Sequence, residues 1–297
     1  MSFTIARTVD EAVEALSAGA RPIAGGTDLV VGARHGKTPL PDDLVAIDRL
    51  AELAEIRPGP GGHHVGALVT HARLMTDPLI VENYTALADA AALVGSPSTR
   101  NIGTLGGNVM NSSPAMDTGA PLMVFGASAA LAGPDGERVV PLGALWTGPG
   151  STSAAPNELL TGLNLPAPSE RCGSAYVRLE YRRAMEIAVV GAAAGVTLAE
   201  DGSVVSVAVA LSAVAPTIVS VEGVDALAGL TPTDAAAQAA DLASAQASPI
   251  SDLRASDAYR RHCVGVMAKR AVDAACRRAG GESIPVPVNR ALGIGAV

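Results

Sequence analysis

The segment GSPSTRNIGTLGGN at residues 95–108, continued by SPAMD at 113–117, decides how this chain folds and what it binds. Paired glycines at Gly106 and Gly107 are flanked on both sides by hydroxyl and amide side chains. Glycine lets a backbone approach a ligand closely and adopt positive φ angles. A polar segment of this length inside a compact domain is usually functional. The sequence therefore predicts a long ligand-binding loop between residues 95 and 117, with a solvated surface loop as the alternative.

A second glycine motif, PIAGGTDL at residues 22–29, lies near the start of the chain. It follows a predicted short strand and precedes an apolar run, and its successive N–H groups can surround a diphosphate. The hydroxyl of Thr27 would add a donor. Taken alone, the motif is explained as well by an ordinary turn between a strand and a helix. Two glycine motifs in one chain fit one long ligand with a central diphosphate.

Composition excludes several classes of function. The chain has 297 residues and a net charge of -8, without a basic stripe, which disfavours nucleic-acid binding. We predict no membrane span and no signal peptide, and hence a cytoplasmic protein, because long apolar runs and a basic leader are missing. Cys172, Cys263 and Cys276 are far apart, so we expect neither disulfides nor an iron–sulfur cluster on this chain. The histidines lack the spacing of metal ligands, and we predict no metal site.

Local patterns indicate mixed helix and sheet. Thr8 and Glu11 form a capping-box pattern before an amphipathic helix. The turn PGPGG at 58–62 predicts a hairpin, and residues 79–94 are predicted as one helix. After PAPS at 166–169 the composition changes to an α+β pattern. There we predict strands at 176–182, 189–198 and 204–211 and helices at 235–247 and 259–278, with the arginine pairs 260–261 and 277–278 on the helix surface or at a subunit contact.

These segments resemble the FAD-binding medium subunit of the molybdenum hydroxylases, the family of carbon monoxide dehydrogenase and xanthine dehydrogenase. The family pattern is close to AGGTDL followed by VGSPxxRNxGTIGGNxxxxSPxxD, and residues 24–29 and 94–117 match it. The resemblance continues through YRRAMEIA at 181–188, SAVAPT at 212–217 and PISDLRASDAYRR at 249–261. It covers nearly the whole chain in the expected order.

The resemblance implies a fold and a binding site. The fold class is α+β, with a two-subdomain FAD-binding fold of the vanillyl-alcohol-oxidase (PCMH) type at residues 1–170, divided at about residue 57, and a C-terminal α+β domain with a small antiparallel sheet at 171–297. The first motif would wrap the FAD diphosphate, the second would cover it from the other side, and Asp117 would hold the ribose or adenine end. Arg178 stands where relatives commonly have lysine near the flavin, and arginine keeps the charge of lysine but not its point-like geometry. The implied cofactor-binding residues are Ile23, Ala24, Gly25, Gly26, Thr27, Asp28, Thr104, Leu105, Gly106, Gly107, Asn108, Asn111, Asp117, Leu160 and Arg178.

The resemblance also implies a function in electron transfer. Electrons would leave a molybdopterin centre on a large subunit, cross [2Fe–2S] clusters on a small subunit and reach non-covalent FAD here. NAD+, a quinone or O2 would be the external acceptor. No side chain needs to act as a catalytic acid or base, so we predict no catalytic residue. Two alternatives are a stand-alone FAD-dependent oxidoreductase with its own substrate pocket and an assembly subunit without flavin.

Overall fold

The computed structural model describes residues 2–36, 39–59 and 61–295. The chain starts with a three-stranded parallel sheet of β1 (Ser2–Ile5), β2 (Arg21–Ile23) and β3 (Asp43–Ala46), in the order β1-β3-β2. Helix α1 (Val9–Ser17) lies between the first two strands and α2 (Leu29–Arg34) follows β2. The capping-box prediction is confirmed in part: the Thr8 side chain accepts a hydrogen bond from the backbone N–H of Glu11, but the Glu11 side chain accepts from the N–H of Arg7 rather than from that of Thr8.

The middle of the chain supplies short helices and the start of a second sheet. A 3-10 helix (Ala51–Ala54) precedes β4 (Ile56–Gly59) and β5 (Gly62–Gly66), which pair as the predicted hairpin; Pro60 in its turn lies outside the described residues. Six helices follow, each starting near a polar or proline residue. They are α3 (His71–Leu74), α4 (Pro78–Asn83), α5 (Thr85–Leu93), α6 (Pro97–Ile102), α7 (Leu105–Met110) and α8 (Gly119–Val124).

The second sheet is completed by later strands. They are β6 (Ser128–Gly133), β7 (Gly136–Pro141) and β10 (Leu159–Pro166), with α9 (Leu142–Leu145) and the small pair β8 (Trp146–Gly148) and β9 (Ser151–Thr152) between them. The antiparallel strand order is β4-β5-β10-β6-β7. Buried leucine, valine and alanine side chains of this sheet pack against α5, α7 and α8.

A third sheet forms the C-terminal part. It contains β11 (Cys172–Leu179), β12 (Val190–Leu198), β13 (Val204–Ser212) and β14 (Val219–Ser220) in sequence order, followed by a 3-10 helix (Val224–Leu227), α10 (Pro232–Gln246), α11 (Asp257–Ala279) and α12 (Val288–Ala291). Side chains alternate between its faces. Ala175 and Val177 join the core under α10 and α11, whereas Tyr176 and Ala193 join the core of the preceding sheet. The third sheet therefore lies between two apolar layers.

Two local predictions were wrong, and one strand was missed. The predicted loop at 95–117 contains α6 and α7, which begin at the hydroxyl caps of Ser96 and Thr104. The segment 79–94, predicted as one helix, forms most of two helices, α4 and α5. They are separated by Tyr84, whose φ of -132° and ψ of 46° are not helical. Strand β1 was not predicted. All four of its residues are exposed, so it has no alternation of buried and exposed positions.

The expectation that both arginine pairs lie on the surface was also wrong for one member of each. Arg260 is buried and donates to the carbonyl oxygens of Val189 and Ala213. Arg278 donates from Nη1 to Asp89 Oδ2 over 2.6 Å, which joins α11 to α5. The fully buried Asp89 carboxylate cannot be solvated, and a buried charge needs a partner of this kind.

Candidate functional site

The fold brings the two glycine motifs into contact. A Cβ atom placed on Gly25 would lie 2.0 Å from the carbonyl oxygen of Ile102. A Cβ atom on Gly103 would lie 3.5 Å from Thr27 Oγ1. Gly25 therefore permits a backbone contact that any larger residue would prevent. The end of α6 lies directly against the turn that follows β2.

The first motif offers backbone donors that the protein does not use. Within residues 2–36, 39–59 and 61–295, the N–H groups of residues 25–28 donate to no other group, although the carbonyl groups of Gly26 and Asp28 accept from α2. Gly26 has a φ of +66°, in the left-handed region. Successive N–H groups in such a turn form a concavity that binds anions. Desolvation by the surrounding chain raises the pKa of Asp28, although its exposed side chain limits that rise.

The second motif uses its N–H groups internally. Those of Leu105 and Gly106 donate to the carbonyl oxygens of Val69 and Ala67, over 2.9 and 2.8 Å. Gly107 donates to the capping hydroxyl of Thr104 over 3.1 Å. Gly107 is exposed, and a Cβ atom there would meet only Thr104 Oγ1, at 3.0 Å. The second motif therefore presents an open glycine surface rather than free amide donors.

A chain of polar contacts leads from this surface into the protein. The hydroxyl of Thr118 donates to Asn108 Oδ1 over 2.6 Å. The neighbouring Asp117 accepts from Arg178 Nη1 over 2.7 Å and from the hydroxyl of Tyr176 over 2.8 Å. Arg178 is 0% exposed, and its Nε donates to Glu180 Oε2 over 2.9 Å. The structure thus pairs two predicted site residues, Asp117 and Arg178, with each other.

The remaining two predicted residues lie at the edges of this region. Asn111 is exposed and caps the C-terminal end of α7. Leu160 on β10 is buried in the core beneath the second motif, next to Thr161, whose carbonyl oxygen accepts from the N–H of Ala67. Because Gly106 also bonds to Ala67, the backbone of β10 supports α7 from below.

Burial and pairing act in opposite directions on the Asp117–Arg178 pair. Burial raises the pKa of the Asp117 carboxyl, and the charge of Arg178 and the hydroxyl of Tyr176 oppose this rise. Burial alone would lower the pKa of Arg178, but Asp117, Tyr176 and Glu180 raise it. Because arginine stays protonated in proteins and its guanidinium lies 2.7 Å away, we take Asp117 to be ionised at neutral pH.

Several residues of this region were not predicted from the sequence. Tyr176 and Glu180 share one face of β11 and its extension with Arg178, a spacing of two that the sequence could have shown. His71 is buried next to Gly103, and its Nδ1 has no hydrogen-bond partner among the described residues. Burial, followed by the charge of Arg100, lowers the pKa of His71 to about 4, so its ring is neutral near pH 7.

A cavity of about 660 Å³ lies elsewhere, at the junction of the second and third sheets. Its lining includes Tyr84, Phe125, Cys172 and residues 282–286, and none of the predicted cofactor-binding residues is among the lining residues that the structure describes. The glycine motifs, rather than this cavity, have the chemistry of a nucleotide-binding site.

Two family models match successive parts of this chain. Residues 1–168 match the family model for the FAD binding domain in molybdopterin dehydrogenase, and 175–275 match that for the CO dehydrogenase flavoprotein C-terminal domain. The carbon monoxide dehydrogenase medium chain of Hydrogenophaga pseudoflava is 34% identical over 92% of this chain and 96% of its own. A putative xanthine dehydrogenase FAD-binding subunit of Escherichia coli is 31% identical over 95% and 98%.

Solved structures show the same relationship. A chain of Cu,Mo-CO dehydrogenase superposes with a TM-score of 0.88 at 30% identity, covering 94% of this chain and 98% of that one. A chain of quinoline 2-oxidoreductase from Pseudomonas putida 86 gives a TM-score of 0.87 at 28% identity, over 94% and 98%. Fold and motifs define a flavin-nucleotide-binding protein of the α+β class.

This chain belongs to the family of FAD-binding medium subunits of the molybdenum hydroxylases. It is the flavoprotein component of an oxidoreductase, and its cofactor is FAD. The family assignment made from the sequence is confirmed, as is the α+β fold with a C-terminal antiparallel sheet. In the described part of the chain, no helix is long and apolar enough to cross a membrane.

Proposed function

We propose that this chain binds FAD non-covalently along the two adjacent glycine motifs and passes electrons from iron–sulfur clusters to an external acceptor. The observation that supports the binding site is the contact between Gly25 and Ile102, because it brings the turn with four unused N–H groups against the end of α6, just before α7 and its open glycine surface at Gly107. Related proteins are named medium chains and FAD-binding subunits, which supports a multi-subunit complex with a large molybdopterin-binding and a small [2Fe–2S] partner.

Each motif has its own role in this proposal. The N–H groups of residues 25–28 bind the diphosphate, with Ile23 and Ala24 leading into the turn and the Thr27 hydroxyl as a further donor. Gly107 and Asn108 cover the other side, with Thr104, Leu105 and Gly106 fixing their position. Bound FAD supplies the redox chemistry, and the protein supplies binding, orientation and electrostatics.

We further propose that the buried residues of the site act as its support. Asp117 and Arg178 neutralise each other and hold the segment after α7 against β11, so that Asn108 keeps its bond to Thr118. Asn111 and Leu160 fix the end and the underside of α7. We also propose that the chain is divided into a FAD-binding domain at 1–170 and a C-terminal domain at 171–297. The connection between the end of β10 at Pro166 and the start of β11 at Cys172, which joins two different sheets, supports this boundary.

The test is purification of the chain with the subunits that accompany it. We expect one FAD per chain, together with molybdenum and iron in the same complex. Photoreduction of that complex without air, followed by addition of NAD+, a quinone or O2, would identify the acceptor as the compound that reoxidises the flavin fastest. A flavin-containing chain that elutes alone and oxidises a small substrate by itself would contradict the proposal and favour a stand-alone oxidoreductase.

A further inference from the structure

His71, the first residue of α3, lies where the two glycine motifs meet. Its backbone N–H donates to the carbonyl oxygen of Gly103 over 3.1 Å. A Cβ atom placed on Gly103 would lie 3.4 Å from His71 Cδ2 and 3.5 Å from Thr27 Oγ1. The imidazole ring and the Thr27 hydroxyl of the first motif are therefore neighbours across Gly103.

The ring of His71 is enclosed, but its nitrogen atoms are not satisfied. The residue is 2% exposed, and its Nδ1 is buried without a hydrogen-bond partner among the described residues. Nε2 has no partner within that part of the chain either, but this atom is not fully enclosed. Buried polar side chains normally have a partner, so an unpartnered one requires a specific explanation.

These contacts indicate which ring nitrogen carries the proton. Burial, followed by the charge of Arg100, lowers the pKa of His71 to about 4, so at pH 7 the neutral ring has one N–H donor and one acceptor nitrogen. A proton on the enclosed Nδ1 would leave a buried donor unpaired, and unpaired buried N–H groups are rarer than unpaired acceptors. The proton therefore lies on Nε2, which is bonded to Cδ2 at the ring edge that faces Gly103.

The first motif indicates which acceptor this donor would meet. The N–H groups of residues 25–28 donate to no other group in the described chain, and such a turn binds anions. A diphosphate held there would present anionic oxygen atoms beside Thr27, on the side that faces His71. Hydrogen bonds to an ionised acceptor are stronger than those between two neutral groups.

We propose that His71 is a further cofactor-binding residue, whose Nε2–H donates a hydrogen bond to the diphosphate of FAD. This inference rests on the proposed function, because it assumes that FAD lies along the two motifs. It assigns a role to a buried histidine that packing alone does not explain, since an apolar side chain would fill the same space without an unpartnered nitrogen.

The test compares variants with and without a donor at this position. The full-length chain, with any subunits that accompany it, is freed of flavin. Ultrafiltration gives the Kd of FAD, and competition gives the Kd of ADP, which contains a diphosphate but no flavin ring. His71→Phe keeps a planar ring without a donor and should raise both Kd values about 10- to 150-fold, the effect of losing one hydrogen bond to a charged group.

Two further variants complete this test. His71→Gln has an amide N–H that can take the place of Nε2–H, so it should bind FAD more tightly than His71→Phe does. His64→Phe is the matched control, because His64 is also a buried histidine but lies on β5, where its Nδ1 is hydrogen-bonded to Asn164 Oδ1 over 2.8 Å. It should leave both Kd values unchanged.

Other outcomes would overturn the inference. Unchanged FAD binding by His71→Phe would show that the histidine does not contact the cofactor. Equal weakening by His71→Phe and His71→Gln would assign the effect to packing against Gly103, and weaker binding of FAD alone, without ADP, would place the contact at the flavin end. If the phenylalanine variant misfolds, His71→Leu also lacks a donor and should raise both Kd values by the same factor. Failure of the wild-type chain to bind FAD would refute the proposed function itself.

Discussion

Gly106 and Gly107 are adjacent in sequence, but we expect substitution by alanine to affect them in opposite ways. A Cβ atom on Gly106 would lie 2.6 Å from Ala67 Cβ and 2.7 Å from its carbonyl oxygen. Carbon atoms in favourable contact are about 3.5–4.0 Å apart, so the helix would have to move by about 1 Å. Overpacking of this kind costs about 1–3 kcal/mol. Gly106→Ala should therefore lower the stability of the flavin-free protein.

Gly107→Ala should leave that stability unchanged or raise it slightly. Alanine is favoured over glycine in a helix by about 1 kcal/mol, and the new methyl group would contact only the Thr104 hydroxyl. On the ligand side, the same methyl group would overlap bound FAD. A cost of about 1–3 kcal/mol there would raise the Kd about 5- to 150-fold.

Urea denaturation of the flavin-free variants and ultrafiltration with FAD would measure both effects. Gly126→Ala serves as a control for glycine substitution away from the site, because its φ of +65° predicts a loss of stability without a loss of FAD affinity. The reasoning would be refuted if Gly107→Ala bound FAD as tightly as the wild type does, since the open surface would then not face the cofactor.

Three further predictions concern stability and the motif itself. The pKa of His71 is about 4 in the folded protein and about 6.5 in the unfolded chain, so the unfolded chain binds the extra proton as the pH falls between these values. Between pH 6.5 and 4, the free energy of unfolding of the wild type should therefore fall by up to about 3 kcal/mol more than that of His71→Leu. Equal decreases for both proteins in urea titrations would contradict this. Asp89→Asn leaves Arg278 without its carboxylate and should cost about 3–5 kcal/mol by the same assay, and a wild-type denaturation midpoint would argue against the buried pair. Thr104→Ala removes the cap of α7 and should cost about 0.5–2 kcal/mol and weaken FAD binding, whereas an unchanged midpoint would show that the cap is dispensable.

Much of the fold could be predicted because its signals are local. The capping pattern at Thr8, the hairpin turn near Gly59 and the apolar strands after Cys172 depend on neighbouring residues. Helices α6 and α7 could not be recognised in the same way. Each has six residues. Polar residues in α6 and paired glycines in α7 obscure a helical period, so only the hydroxyl caps at their starts indicate a helix.

The site was only partly accessible to sequence reasoning. The glycine motifs could be found by composition, but Gly106 and Gly107 look alike until Ala67 is placed beneath one of them. The contact of Asp117 with Arg178 joins residues 61 positions apart and depends on how β11 packs against the earlier sheet. Pairings of this kind are set by tertiary structure, which no local pattern records.

The most direct test of the account is the absorption spectrum of the purified chain, followed by acid precipitation. We predict a flavin spectrum, with FAD released into the supernatant at one molecule per chain. A colourless protein that does not take up added FAD, either alone or with its partner subunits, would contradict the claim that the two glycine motifs form a cofactor site. Colour that stays with the precipitate would contradict non-covalent binding.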